Sequence, residues 1–227
     1  INNDNIHSLL DNKQISTLSI QQTHLNNSAL LASIFTIINH DITFNTSYFN
    51  NLFTHVKQNQ YTLQIHLNNT IYYLTLDNNI PFLDSFPLFA KVNTSSLINN
   101  IHFIEKAFYV LNQCNSELNS NFCLEIYHLL GWIPERHSLI KQPSSRPLNK
   151  DILWNSLYTH FTQGNLLICF AAQCASSSHS MSNSSMYSNS ISTINPNKHM
   201  FFPVIALEQI SYNKIIKVKA LSQKACN

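Results

Sequence analysis

Charge is scarce in this sequence. Asp, Glu, Lys and Arg make up 11% of it, and the formal net charge is only +2. That is well under the usual quarter. No long basic run appears, so a nucleic acid or an anionic membrane surface has no electrostatic footprint to meet. No apolar stretch approaches the roughly 18 residues of a membrane span. The first residues, Ile1-Asn2-Asn3-Asp4, lack the basic and apolar regions of a secretory leader. The missing initiator methionine reads as the mark of a fragment. The cysteines Cys114, Cys123, Cys169, Cys174 and Cys226 form no CxxC pair. An odd number of them without a leader implies free thiols in a reducing, cytoplasmic setting. Sequons such as Asn45-Thr46-Ser47 are then chance products of a chain rich in Asn, Ser and Thr.

What is present is a foldable chain. Hydrophobic residues make up 44% of 227, enough to bury the core of one large domain or two small lobes. Residues 1–20 read as a polar lead-in with a helical turn around Ile6–Leu10. Residues 28–39 are almost wholly apolar, with neither Pro nor Gly, and read as a buried helix that Asn26 or Asn27 could cap. Residues 60–67 and 70–76 alternate around Asn68-Asn69, the pattern of a β-hairpin, and Pro81 ends the pairing. Leu97, Ile101, Ile104, Phe108 and Leu111 share one helical face. A shorter helix over 122–130 stops at Gly131. Another over 151–163 buries Ile152, Leu153, Leu157 and Phe161 and breaks at Gly164. Residues 165–172 read as a fully buried strand. Residues 175–197 are so rich in Ser and Asn that they cannot offset the entropy of ordering, and are expected to form a disordered insertion. Two strands, 200–210 and 214–221, follow around Ser211-Tyr212-Asn213. Helices first and strands last make an α+β pattern.

The segment with chemical interest is Gln22-Thr23-His24-Leu25-Asn26-Asn27-Ser28-Ala29-Leu30-Leu31-Ala32. A nucleophile at the mouth of a buried helix gains from the helix dipole and from backbone N–H groups that can hold an oxyanion. An ordinary buried helix with a polar cap would give the same letters. The segment resembles the calpain signature Q-x-x-x-x-D-C-W-[apolar]-[apolar]-A-[AS], with Asn27 for Asp, Ser28 for the nucleophilic Cys and Ala29 for Trp. Four further stretches resemble the family in its own order. Tyr73 to Pro81 is similar to the hairpin ending V-x-x-D-x-x-[apolar]-P. Ile104-Glu105-Lys106-Ala107-Phe108 is similar to the L-I-E-K-A-Y helix. Leu129-Leu130-Gly131-Trp132-Ile133-Pro134-Glu135-Arg136 is similar to the L-T-G-W-I-P-E-R segment of the PalB-type branch of fungal ambient-pH signalling. Trp154 to Leu167 is similar to W-x-x-L-…-F-x-x-G-D-x-L-[IL].

The resemblance implies a papain-like two-lobed fold, with residues 1–150 as a helical lobe and 151–227 as the start of a β-rich lobe. It implies Ser28 at the nucleophile position, Gln22 in the oxyanion hole and His199 as general base, since His199 opens the strand after the insertion. His24 lies nearer to Ser28 but matches no family role. The family's third member, the asparagine of N-P-W, has no direct counterpart. The window where it belongs holds Leu221-Ser222-Gln223-Lys224, and Asn227 is the candidate orienter.

A serine hydroxyl is a far weaker acid than a thiol, so it forms no stable ion pair with an imidazolium. Ser28, Ala29 and the missing N-P-W together imply a degenerate peptidase. The resemblance then implies either a transcription-factor-processing endopeptidase core of alkaline-pH signalling, or a non-catalytic polypeptide-binding scaffold. Its partners would be a polypeptide in the interlobe cleft and endosomal-sorting proteins reached through regions outside these residues. An unrelated α+β domain is the remaining alternative. The acidic residues do not cluster and D-x-D spacing is absent, so no high-affinity calcium site and no cofactor are expected.

Overall fold

A computed structural model describes residues 18–57, 60–77, 79–83, 86–93, 95–113, 121–139, 149–173 and 199–223. The expected turn at residues 6–10, the insertion at 175–197 and Asn227 lie outside them.

The apolar run beginning at Ser28 forms helix α1, Ser28–Phe44. Every residue from Ala29 to Ile42 is buried, so the helix has no solvent face and passes through the interior. Leu30, Leu31, Ile34, Phe35, Ile37 and Ile38 are its central contribution to the main core. Each such side chain is worth about 1.5–3 kcal/mol of burial. Asn45 ends the helix in the left-handed region. Asp41 then accepts the backbone N–H groups of Tyr48 (2.9 Å) and Phe49 (2.7 Å), which start the single-turn helix α2, Tyr48–Asn51.

Strands β2 (Phe53–Lys57), β3 (Gln60–Leu67) and β4 (Thr70–Asp77) form one antiparallel sheet. The expected hairpin is β3–β4, closed at Leu67↔Thr70, with Asn68 and Asn69 both at positive φ (50° and 58°). Two left-handed residues in a two-residue loop match the strand twist, and Asn tolerates that region. Leu63 and Ile65 point from β3 into the core.

Helix α3, Ser95–Leu111, buries Leu97, Ile101, Ile104 and Phe108. Leu111, expected on that face, is 42% exposed because it is the last residue of the helix. Helix α4, Phe122–Leu130, is capped by Asn121, whose side chain accepts from the Cys123 N–H, and stops at Gly131 (φ 71°).

Helix α5, Lys150–Thr162, also differs from expectation. Its inner stripe is Trp154, Leu157, Tyr158 and Phe161, the i, i+3, i+4, i+7 set. Ile152 falls outside that stripe and is 68% exposed.

The last sheet has the order β10-β9-β8, all antiparallel, from β8 (Cys169–Gln173), β9 (His199–Ile210) and β10 (Asn213–Val218). Residues 165–168, expected to be strand, precede β8 as irregular chain. Among the described residues β8 pairs on one side only, so Ala171 and Ala172 are exposed rather than buried.

Strand β9 is the wall between two cores. Phe201 and Ile205 pack toward the main core, while Val204 and Leu207 face α5. A strict period of two would send 204 and 207 to opposite faces. The register shift between Lys217↔Ala206 and Val218↔Val204 inserts one extra β9 residue and restores the match. Gln209 then also faces α5, accepting from Trp154 Nε1 at 3.0 Å.

Five very short strands complete the fold. β5 (Phe82–Leu83) pairs with β6 (Phe86–Pro87). β1 (Ile20–Gln22) lies between β7 (Lys91–Val92), antiparallel, and β11 (Ser222–Gln223), parallel. Helices with mainly antiparallel sheets are the α+β architecture expected of a papain-like core.

Candidate active site

Strand β1 delivers Gln22 just before α1. Its register is held by Ile20↔Val92 and Gln21↔Lys91 on one side and by Gln22↔Gln223 on the other. Gln22 is buried, and its Nε2 donates to the Leu25 carbonyl at 2.6 Å, closing the turn that leads to the helix. The Thr23 hydroxyl lies 3.0 Å and 2.8 Å from the carbonyls of Leu88 and Phe89. Gln22 and Ser28 are thus two ends of one tightly anchored connection.

Ser28 is the first residue of α1 and is half-buried. Among the described residues no side chain caps its start. Asn27 occupies the N-cap position, as expected, but does not cap. Its Nδ2 donates to Glu105 Oε1 at 2.8 Å. Glu105 reaches across from α3 and also accepts the Ala90 N–H, at 3.0 Å through Oε2 and 3.2 Å through Oε1. Burial pushes the Glu105 carboxyl up to about 7, against the hydrogen bonds from Asn27 and Ala90, which pull it down. One turn earlier on α3, His102 places Nε2 2.6 Å from the Ala90 carbonyl. Nε2 must be the protonated nitrogen there. Burial holds this imidazole below its ordinary range, and its Nδ1 has no partner among the described residues.

His199 is the first residue of β9, opposite Gln173 of β8. The two sequence-derived candidates therefore begin the two elements, α1 and β9, that meet in the main core. The window expected to hold the third residue contains β11, which passes beside Gln22.

Two described thiols offer no rival nucleophile. Burial raises the Cys123 thiol, and it raises that of Cys169 to about 12. Neither is a thiolate near neutrality. Among the described residues, no three His, Cys, Asp or Glu side chains converge as a metal site would require.

Sequence reasoning overlooked Glu105 as a site-shaping group. The signal was present: Glu105 stands four residues after Ile101 and beside Ile104, an acid set within an apolar stripe.

The profile of the calpain family cysteine protease domain matches residues 3–218. The chain belongs to the calpain family. It is 23% identical over 163 residues to calpain-7 of Mus musculus and, equally, to calpain-7 of Homo sapiens; each match covers 68% of this chain. It is 27% identical over 109 residues to calpain-7 of Sus scrofa, covering 48% of this chain. The chain spans about a fifth of the length of the mouse and human relatives, 20%, and 13% of the pig protein. No helix of the described residues is long and apolar enough to cross a membrane.

Proposed function

We propose that this calpain-family domain is a degenerate thiol endopeptidase core that binds polypeptide between two lobes, residues 1–150 and 151–227, without efficient cleavage. The observation that carries this reading is Ser28 at the uncapped start of α1, six residues after Gln22, where the family pattern has its cysteine. In the reading, Ser28 occupies the nucleophile position, Gln22 the oxyanion hole and His199 the general base. Asn227 is the orienter that would hold the imidazole.

The chemistry favours loss of cleavage. A thiol at this place is activated by becoming a thiolate paired with His⁺. A hydroxyl must instead lose its proton to a base during attack, and that base must be held by a third group. Loss of the nucleophile in a comparable triad costs on the order of 10⁴–10⁶ in rate. Ala29, where the family pattern has Trp, adds a second departure.

The test compares the unmodified chain with Ser28→Cys on unstructured polypeptides. Little or no cleavage by the former and gain of cleavage by the latter is the expected result. Clear cleavage by the unmodified chain, abolished by Ser28→Ala, would overturn the degenerate reading.

The cellular setting we propose is cytoplasmic alkaline-pH signalling, with a transcription factor as the polypeptide and endosomal-sorting proteins as partners of the longer protein. The likeness of Leu129–Arg136 to the PalB-type branch supports it. Deleting the protein in its native host, with no change in transcription-factor processing after an alkaline shift, would remove this setting.

A further inference from the structure

We infer that Glu105 is a positioning residue for the start of α1: its carboxyl takes the Asn27 side chain away from the helix and ties it to the Ala90 backbone. The inference rests on the reading of Ser28 as the nucleophile position.

The geometry is specific. An asparagine at an N-cap ordinarily turns its side-chain oxygen onto the N–H of the second or third helical residue. Asn27 holds that position, with 1% exposure, yet makes no cap bond. Its Nδ2 is spent on Glu105 Oε1, and its Oδ1 is buried with no partner among the described residues. A buried amide oxygen left unpaired costs about 1–3 kcal/mol. That cost buys an uncapped first turn directly at Ser28.

Glu105 is itself 1% exposed. Among the described residues no cation is paired with it. Lys106, the next residue, turns away to Asp77 at 2.6 Å. His102, the neighbouring titratable group on α3, is engaged with the Ala90 carbonyl. From α1 the group that meets Glu105 is neutral Asn27, and from the chain before β7 it is the Ala90 N–H. Satisfying one backbone N–H does not require a carboxyl. A carboxyl suits a point where donors from two segments converge: Oε1 takes the Asn27 amide and Oε2 the Ala90 N–H. A glutamine would present one N–H₂ end to one of those donors.

The consequence is a three-way junction. Thr23 hangs on the carbonyls of Leu88 and Phe89, Ala90 hangs on Glu105, and Glu105 holds Asn27. The segment 88–90 is thereby registered against both ends of the Gln22–Ser28 connection. Glu105 sets where residue 28 and the first backbone N–H groups of α1 sit.

The experiment uses Ser28→Cys in the full chain as a reporter. The alkylation rate of the introduced thiol by iodoacetamide is followed by peptide-resolved mass spectrometry from pH 6 to 8.5. Adding Glu105→Gln should lower that rate about tenfold at neutral pH, the equivalent of one charge-assisted hydrogen bond. It should also move the pH midpoint of the reaction upward, while the alkylation rate at Cys123 and the cooperativity of unfolding stay as they were. Asn27→Ala should produce the same loss, and the double variant no further loss, because both remove one bridge. If Glu105→Gln does not fold, Asn27→Ala decides. A rate unchanged or raised in either folded single variant, or losses that add in the double variant, overturns the inference. A separate arm, His199→Ala in the same background, tests the site reading. If it leaves the pH profile untouched, the assignment of His199 fails, whatever Glu105 does.

Discussion

Gln22 and Gln223 are Cα partners in parallel strands, although 201 positions separate them in the chain. The strand that leads into α1 is therefore braced by the strand that follows β10. Removing residues 221–227 should cost on the order of 1–2 kcal/mol, from the lost pairing and from half-buried Leu221, which packs on the main core. Hydrogen exchange should show faster exchange across residues 20–22, with β3 and β4 unchanged. Equal protection of residues 20–22 in the truncated chain would contradict the pairing.

Glu105 makes stability depend on pH in a direction opposite to that of most carboxylates. Its pKa is raised from the ordinary 4.5 to about 7 by burial. The folded chain holds this proton more tightly than the unfolded chain does. Its contribution is intact below about pH 4.5 and declines as pH climbs to about 7, by on the order of 3 kcal/mol. Urea midpoints measured from pH 4.5 to 8 should fall across that window. Glu105→Gln should flatten the slope.

Gly131 combines two constraints. Its φ is +71°, and a Cβ there would come within 2.8 Å of the His66 ring. Gly131→Ala should destabilise by about 1–3 kcal/mol, through strain and displacement of that imidazole. His66→Ala in addition should recover the steric part, so the double variant is expected to lose less than the two separate losses together.

Trp154 closes the smaller core, stacking beside Tyr158 with ring centroids at 5.8 Å and donating to Gln209. Trp154→Ala should cost about 3–5 kcal/mol. Trp154→Phe should cost less, losing the bond to Gln209, whose exposed side chain can turn to water. Thermal unfolding of the two variants gives the comparison.

Features set by nearby residues were legible in the sequence. α1 announced itself by an apolar run with no breaker, the hairpin by Asn68-Asn69, and the end of α4 by Gly131. Features set by distant partners were not. β1 and β11 offer two or three residues each, too few for a period, and exist because each is the other's template. The extra residue in β9 is invisible until β10 is laid beside it, so the facing of Leu207 could not be read locally. On α5 the apolar residues fit more than one stripe, and only packing on β9 selects Trp154 over Ile152. Near the candidate site, the start of α1 at Ser28, six residues after Gln22, was legible in the sequence. The diversion of Asn27 was not, since a cap and a bridge to α3 require the same letter.

β9 has a consequence for how the molecule comes apart. One face of it belongs to the core that α1 fills, and the other to the core that α5 covers. Neither half can shed its hydrophobic contacts without stripping the strand the other depends on. A single calorimetric peak, rather than two, is the melting behaviour this shared strand dictates.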